Sequence, residues 1–459
     1  MLGLNQTLAQ SPTVQERFGA ALLTPDNTIG LDNTVRRGAR IVFETREAPV
    51  LGPDQNTPGH QLLRQLVASG LAAGNRGDLY ENRDRGHSRL PFGAHPQMTY
   101  VVYDGALEGQ GVDYGLAQVM LFDAPLIGNS STAVTGPIWR SQPRLALTSP
   151  GGARTLYQNY VSGQIHVYPE HRDHDPERGD LLPANTPYVL ISQGSSGSDQ
   201  AHLEALVMIM AAFRPDTKAR LLETGLIAPT VQMVYRRARN GIGTRDAYLS
   251  GAAHPSVFSA DGINLAAMVG LANAITPDAV PPLVRLEVLE ETTPLPGVDY
   301  FGDGLSEMLF DTPSAIARIW RSKEGTRRMV VTAADTVDPN GRDLTFDWVL
   351  LRGDPEQVRI TPLTADARYA LIEIGWQDPR PAPGTPDILS ARIDLGVFAN
   401  NGAYDSAPGF ISVLLPRHET RLYELAPEGG KHPVEITRAA AEEIYFDPMI
   451  FPVLPWSDQ

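Results

Sequence analysis

The chain contains no cysteine among its 459 residues. This absence excludes disulfide bonds, a cysteine nucleophile, thiolate-bound zinc and iron–sulfur clusters. A cysteine-free composition is compatible with export from a bacterium, where free thiols are a liability. Many cytosolic proteins also lack cysteine, so the absence indicates export only weakly.

Long apolar runs and positive charge are scarce as well. No apolar run reaches the length of about 18 residues that a membrane-spanning helix needs, so we expect no membrane insertion. The first 20 residues lack a basic start and a long apolar core, and as they stand they are not a signal peptide. Lys and Arg number 38 against 53 Asp and Glu, a net charge of −15. An acidic chain of this kind argues against a nucleic-acid partner, which needs a basic surface.

The residues that are present favour a large globular protein. The hydrophobic fraction of 42% is ample for full cores, while 42 Gly and 38 Pro indicate many turns and loops. At roughly 100–200 residues per domain, the length predicts two or three domains.

Strand-like and helix-like segments alternate through the first part of the chain. This alternation predicts an α/β layered domain over residues 1–285, with a substantially parallel sheet and the candidate site. The predicted strands are Arg40–Thr45, Met98–Tyr103, Gln164–Tyr168 and Tyr188–Ser192, and the predicted helices are Gly59–Ser69, His202–Phe213, Lys218–Arg239 and Asn264–Ile275; Leu116–Phe122 fits either.

The pattern changes near residue 285. We expect a linker over residues 286–325 with a short helix at Pro313–Arg321, then six strands that form an all-β sandwich over residues 326–420. In the tail, residues 421–459, the sequence predicts one amphipathic helix at Pro433–Tyr445. We expect this tail to pack against one of the domains.

One segment of the predicted sandwich resembles a known family. Asp335–Pro355 is similar to the PKD and related immunoglobulin-like modules of exported bacterial proteins, and the similarity extends over Thr326–Pro416. The matching positions are Asp338, Pro339, Gly341, Leu344, Phe346 and Trp348. Leu344, Phe346 and Trp348 alternate onto one strand face, with Trp348 expected to fill the core. The resemblance implies an immunoglobulin-like sandwich and an extracellular or periplasmic location.

The first candidate for chemistry is a histidine-rich segment, residues 166–175 (HVYPEHRDHD). His171 and His174 stand three residues apart and can share a divalent metal ion, zinc or calcium, with Asp173 as an oxygen ligand. Alternatively, His171 acts as a general base that Asp173 orients. A solvated polar loop with incidental ion pairs would give the same pattern.

The second candidate is a Gly/Ser turn, residues 192–199 (SQGSSGSD), between a strand and a helix. It resembles the nucleophile elbow of α/β-hydrolases in context, although the Gly-x-Ser-x-Gly pattern is absent. Ser196 is the candidate nucleophile, and Ser195 and Ser198 are candidate substrate contacts at free N–H groups. The alternative is a plain turn in which Ser198 or Asp199 caps the helix.

The third candidate is the long loop Leu79–Gln97, in which acidic and His side chains stand among three Arg side chains. Arg85 and His87 are suited to bind a carboxylate or sulfate of an anionic substrate. A structural ion-pair loop is the competing interpretation.

Together these patterns favour an exported bacterial hydrolase that acts on a polymer, either a polysaccharide or a peptide. Two other classes stay open: a non-catalytic surface or assembly protein, for instance a homo-oligomer, and a carbohydrate- or anion-binding protein. Catalysis requires that residues 81–95, 166–175 and 194–199 meet in one pocket, whereas a structural role predicts that they lie apart.

Overall fold

The computed structural model describes residues 10–31, 36–44, 50–68, 77–115, 119–133, 140–301, 304–417, 419–427, 429–438 and 449. In these ranges the helices are α1 (Pro58–Leu66), α2 (Gly105–Glu108), α3 (Gln142–Thr148), α4 (Gly152–Val161), α5 (Gln200–Ala212), α6 (Pro215–Thr224), α7 (Ile227–Arg237), α8 (Arg245–Tyr248) and α9 (Leu265–Ala274), with 3-10 turns at Pro25–Asn27, Phe92–Ala94, Ala260–Gly262 and Pro277–Ala279.

The strands of the first part of the chain are β1 (Thr13–Gln15), β2 (Ala20–Leu23), β3 (Ile29–Leu31), β4 (Arg36–Val42), β5 (Leu79–Asn82), β6 (Thr99–Tyr103), β7 (Val119–Phe122), β8 (Leu126–Asn129), β9 (Gln164–Pro169), β10 (His174–Asp175), β11 (Gly179–Asp180) and β12 (Leu190–Ser192). Those of the second part are β13 (Glu287–Glu291), β14 (Met308–Thr312), β15 (Ala315–Ile319), β16 (Thr326–Thr332), β17 (Thr345–Arg352), β18 (Val358–Pro362), β19 (Tyr369–Gly375), β20 (Arg380–Ala382), β21 (Thr385–Ser390), β22 (Arg392–Asn400), β23 (Gly409–Leu414), β24 (Glu419–Leu425) and β25 (Lys431–Arg438).

A six-stranded sheet forms the centre of the first part, in the order β12-β9-β8-β5-β6-β2, and every pairing in it is parallel. A smaller sheet joins β1, β4, β3 and β7. All six residues of β9 are buried, as expected for a strand covered on both faces. The prediction of an α/β region with a parallel sheet is confirmed.

The helix predicted over Lys218–Arg239 is wrong as one element, because the structure divides it into α6 and α7. Gly225 ends α6 in the left-handed region, at φ 70°, and donates its N–H to carbonyls of the preceding turn. A glycine accepts this conformation without the steric cost of a Cβ, so the helix stops there and a new one begins two residues later.

Two further sheets form most of the second part, in the orders β13-β16-β19-β18 and β14-β15-β23-β22-β17, while β20 and β21 join β10 and β11 in a small sheet and β24 pairs with β25. The pairings within the two larger sheets are antiparallel except that β15 runs parallel to β23. Side chains of both larger sheets share one apolar cluster, which includes Met329, Ile372, Leu395 and Val413. The C-terminal region is therefore built largely from two facing, mainly antiparallel sheets.

Trp320, directly after β15, is the fully buried tryptophan of this cluster and packs edge-on against Trp376 at 5.5 Å. Trp348, expected to fill the core, is only half-buried and packs at its margin, where its indole N–H donates to the Ala367 carbonyl at 2.7 Å.

Two helices predicted for this region are wrong. Pro313–Arg321 contains the strand β15, whose five residues are all buried between β14 and β23. Its two faces are also covered, since Ala315 packs in the cluster of the α/β region and Ile316 in that of the C-terminal sheets; the run therefore has no alternating pattern and resembles a buried helix. The segment assigned to a linker, residues 286–325, thus contributes β13, β14 and β15 to the sheets. Pro433–Tyr445 is strand up to Arg438, and its remaining residues lie outside the described ranges.

The two parts are joined by buried polar contacts. The Tyr188 hydroxyl lies 2.7 Å from Oγ1 of Thr312, and the Asn185 N–H donates to Oγ of Ser412 at 3.0 Å. An ion network that we call the ionic joint consists of Asp180, Arg352, Arg392 and Asp394, all buried. The segment that follows β9 is therefore fixed against the C-terminal sheets. Within the ranges described, no helix is both long and apolar enough to cross a bilayer.

Candidate functional site

The carboxyl ends of four adjacent strands lie side by side at one edge of the parallel sheet. Strands β5, β8, β9 and β12 pair in parallel register, so Asn82, Asn129, Glu170 and Ser192 come to neighbouring positions. This edge is where open α/β sheets place their binding sites.

The three loops singled out from the sequence meet at this edge. The Gly197 N–H donates to Oγ of Ser88 at 2.8 Å, which links residues 81–95 to the Gly/Ser turn. The Gly194 N–H donates to Oε1 of Glu170 at 3.0 Å, and the His171 N–H donates to the Gly194 carbonyl at 2.9 Å. The structure therefore brings residues 81–95, 166–175 and 194–199 together.

The Gly/Ser turn does not hold its serines against a histidine. Ser195 and Ser196 are exposed, and neither hydroxyl forms a hydrogen bond to a histidine in the part of the chain that the structure describes. Ser198 lies below them, with its Oγ 2.8 Å from Oγ of Ser192. Gly194 and Gly197 take positive φ values of 123° and 96°, which shape the turn.

His171 is half-buried, and its Nε2 bonds to the Ser131 carbonyl. Its own φ of 58° is in the left-handed region, a strained conformation for a residue with a Cβ. Burial lowers the pKa of His171, although the Ser131 carbonyl, Asp173 and Asp84 act in the opposite direction. The imidazole is therefore mainly neutral at pH 7.

Asp173 and His174 have other partners. Oδ2 of the fully buried Asp173 accepts the Ser141 N–H at 2.8 Å and lies 3.0 Å from Nε of Arg144. Burial raises the pKa of Asp173, against the attraction of Arg144. His174 is buried on the side of the ionic joint, where burial lowers its pKa and Asp180 opposes that shift.

The histidine segment does not gather its side chains around one point. In the described residues no group of three or more His, Asp or Glu side chains is arranged to hold a metal ion. A metal bound by His171, His174 and Asp173 stays a prediction.

Arg85 lines a cavity of about 490 Å³ beside the edge, together with Tyr80, Asn82, Arg89 and Tyr100. The Arg85 guanidinium lies 4.7 Å from the ring centre of Tyr114. His87 is exposed and does not line the cavity; its Nδ1 lies 3.8 Å from Oδ2 of Asp84.

Asp199 is a candidate functional residue that the sequence analysis considered only as a helix cap. It stands at the start of α5 but makes no side-chain capping bond. Its carboxylate is completely buried, and neither oxygen has a hydrogen-bonding partner of normal geometry among the described residues. Burial raises the pKa of Asp199 to about 6, although Ser88 and Asn129 lie near enough to oppose the shift. The only signal in the sequence was an acidic residue after a Gly/Ser turn.

Two more carboxyl groups at this edge have raised pKa values. Burial raises the pKa of Glu170 to about 7, against the N–H groups of Gly194 and His174 that its oxygens accept. Burial also raises the pKa of Asp84, whose Oδ1 accepts the Thr132 hydroxyl at 2.6 Å. Carboxyl groups that titrate near neutral pH in one place are typical of general acid–base sites.

A second, deeper layer supports the edge. Oε1 of Glu81 lies 2.6 Å from Nε2 of His166, and its Oε2 accepts the Tyr103 hydroxyl at 2.5 Å. Burial opposes the charge of Glu81, but Arg83 and His166 outweigh it and lower the pKa of this carboxyl. Gly128 leaves room for the pair, because a Cβ there would lie 2.6 Å from the His166 ring.

Comparisons with known proteins give little beyond this geometry. No family model and no curated protein matches the chain. One solved structure that it resembles is described as a nucleoside hydrolase-related hypothetical protein from Saccharophagus degradans that is associated with carbohydrate metabolism. The two share 10% identity over 63% of this chain and 71% of the other, with a TM-score of 0.22. A similarity at this level carries no argument about function.

Proposed function

We propose that the protein is a hydrolase of a hydroxyl-rich polymer, a polysaccharide in preference to a peptide, and that Asp199 is its general acid. The observation that carries the proposal is the buried Asp199 carboxyl group, whose pKa burial raises to about 6 although Ser88, Asn129 and the Gly197 N–H lie close to it. A carboxyl group that titrates there is partly protonated near neutral pH and can protonate a leaving-group oxygen.

The groups around Asp199 suit a sugar. The hydroxyls of Ser130 and Ser131 are buried without hydrogen-bonding partners in the described residues, and the buried Asn129 amide nitrogen has only the Asp199 carboxylate beside it. Hydroxyl-rich ligands supply both donors and acceptors, and so can satisfy all three groups. The nearby cavity adds the exposed Arg85 and Arg89 side chains as hydrogen-bond donors to sugar hydroxyls.

Substrate access in this proposal depends on the loop that covers Asp199. Ser88 lies over the site and accepts the Gly197 N–H. Arg85 and Ser88 have positive φ values of 48° and 51°, so this loop holds two residues in a conformation that a Cβ disfavours. The loop then acts as a lid that closes over bound polymer.

The site of action proposed from the sequence remains the rival within the same class. There Ser196 is the nucleophile, His171 is the base and Asp173 orients it. The exposed Ser196 and the engagement of Asp173 by Ser141 and Arg144 favour Asp199 over this arrangement.

We also propose that the C-terminal sheets are an immunoglobulin-like module of an exported bacterial protein. The order β13-β16-β19-β18 opposite β17-β22-β23 supports this, since immunoglobulin folds place strands A, B, E and D opposite C, F and G. Detection of the native protein in periplasmic or culture fractions is the expected result; confinement to the cytoplasm would remove the export proposal.

The enzymatic proposal is tested with dye-labelled polysaccharides, chromogenic glycosides and labelled peptides. We expect release from a carbohydrate substrate, a loss of at least about 100-fold in kcat for Asp199→Asn, and a small effect for Ser196→Ala. Asp387→Asn, an exposed carboxylate on β21, is the matched control and keeps full activity.

Other outcomes assign the protein differently. Full activity of Asp199→Asn together with inactive Ser196→Ala and His171→Ala would restore the serine mechanism. Carbohydrate binding by calorimetry without turnover of any substrate would place the protein among non-catalytic binding proteins.

A further inference from the structure

A second cavity lies where the α/β region meets the C-terminal sheets. It has a volume of about 700 Å³, and residues of α7, α9 and the loop after β22 line it. We call it the joint cavity. Its size and its place between two structural units are typical of sites for small organic ligands.

One wall of the joint cavity is apolar. Met233 of α7 and Ala267 and Leu271 of α9 form this wall, and Ala403 faces it from the C-terminal region. An apolar part of a ligand would bind favourably to this wall, because binding removes the apolar surfaces of both wall and ligand from water.

Two of the three arginines in the lining are already engaged. The Arg245 guanidinium donates to Asp405 at 2.8 Å and to Asp347 at 2.5 Å, so its charge is neutralised. The Arg239 guanidinium donates to the Tyr235 hydroxyl and the Ser259 carbonyl, both at 2.9 Å, and stacks 5.0 Å from the Phe258 ring.

Neither Arg239 nor Arg237 is paired with a carboxylate among the described residues, and Arg237 makes fewer hydrogen bonds than Arg239. The Arg237 guanidinium donates to the Ile242 carbonyl at 2.6 Å, and makes no other hydrogen bond or ion pair with the residues that the structure describes. The side chain complements the C-terminal end of α7, but that role leaves most of its N–H donors unused. A half-buried, unneutralised guanidinium therefore faces the cavity.

We propose that the joint cavity binds a small organic anion with one carboxylate head and an apolar tail. Arg237 pairs with the carboxylate, and the tail lies against Met233, Ala267 and Leu271. Such a ligand contacts both the α/β region and the C-terminal sheets, so binding stabilises the joint between them. This site is separate from the one that holds Asp199 and does not rest on the proposed hydrolase activity.

The test uses octanoate as the probe and octan-1-ol as the neutral match of equal tail length. Isothermal calorimetry on the full chain is expected to show one octanoate site, and octanol to bind at least about tenfold more weakly, since an ion-paired hydrogen bond contributes about 1.5–3 kcal/mol. Saturating octanoate should also raise the unfolding temperature.

Variants locate the site. Arg237→Met should bind octanoate and octanol equally, and Ala267→Trp should fill the cavity and remove binding of both. Matched controls are Arg154→Met and Ala219→Trp, exposed on α4 and α6 and absent from the lining, which should bind as the wild type does.

Three results would overturn the proposal: no octanoate binding to the wild type at millimolar concentration, equal affinity for octanol, or unchanged binding by Ala267→Trp. If Arg237→Met fails to fold, the octanol comparison and the Ala267→Trp variant still test whether octanoate binds in the joint cavity through its carboxylate.

Discussion

Replacement of Asp180 by asparagine should strongly destabilise the protein, because this side chain neutralises two buried arginines. Asp180 is completely buried, and its Oδ2 bonds to NH1 of Arg352 and lies 3.1 Å from NH1 of Arg392. Ser390 Oγ donates to the same oxygen at 3.2 Å, and the Leu182 N–H donates to Oδ1 at 3.0 Å. The substitution keeps the size of the side chain, removes its charge and replaces one of its two acceptor oxygens by an N–H donor.

The size of the expected loss of stability follows from the charges that remain after the substitution. Asp394 would be left alone with both arginines, at 2.8 Å from Nε of Arg392 and 3.6 Å from Nε of Arg352. One positive charge in the ionic joint would then be buried without compensation. Removal of one partner from a buried ion network costs about 3–5 kcal/mol in the free energy of unfolding.

Urea unfolding followed by tryptophan fluorescence measures the effect, since Trp320, Trp348 and Trp376 report on the C-terminal sheets. The control is Glu373→Gln, which breaks the exposed pair with Arg359 and should cost about 1 kcal/mol or less. If Asp180→Asn costs no more than this control, the buried network does not stabilise the joint.

The pH dependence of the free energy of unfolding tests the same ion network independently. Burial alone would raise the pKa of Asp180, but Arg392 and Arg352 outweigh it and hold this pKa well below the usual range. A lowered pKa contributes stability above the unfolded-state value of about 4 and loses it as the pH falls further. The difference between wild type and Asp180→Asn should therefore be full at pH 7 and shrink below about pH 4.

Further predictions concern the edge of the parallel sheet. Asp199 and Glu170 have pKa values raised to about 6 and about 7, so each should cost stability as the pH rises from about 4 to 7, by up to about 3 kcal/mol per group. Urea unfolding across this range should show the decline and Asp199→Asn should reduce it; a flat wild-type profile would contradict the assignment. Asp199→Asn should also be more stable than wild type at pH 8 while losing activity, and a destabilised variant would indicate a structural role. Gly128→Ala should lower stability by about 1–3 kcal/mol, because its Cβ meets the His166 ring, whereas Gly105→Ala, which meets nothing within 4 Å, should change it little; circular dichroism on heating compares the two.

Local pattern was sufficient for apolar runs whose length and flanking turn residues differ between helix and strand. The apolar run His202–Phe213 predicts a helix and lies in α5, and Gln164–Tyr168 predicts a strand and lies in β9. The pattern failed where tertiary contacts decided the conformation. The apolar run Ala315–Ile319 is a strand that pairs with β14 and β23, and its two faces pack on different clusters, so the run shows no alternation that would indicate a strand.

The candidate site shows the same division. The sequence by itself determined that the loops after β5, β9 and β12 carry polar and titratable residues, and that parallel strands would bring them to one edge. Only the tertiary structure decided which side chains are available there. It turns His174 toward Asp180, fixes Asp173 against Arg144 and buries Asp199 beneath Ser88. The sequence specifies which residue types are present. The desolvation and hydrogen bonding that set each pKa come from segments distant in sequence, so they exist only once the chain has folded.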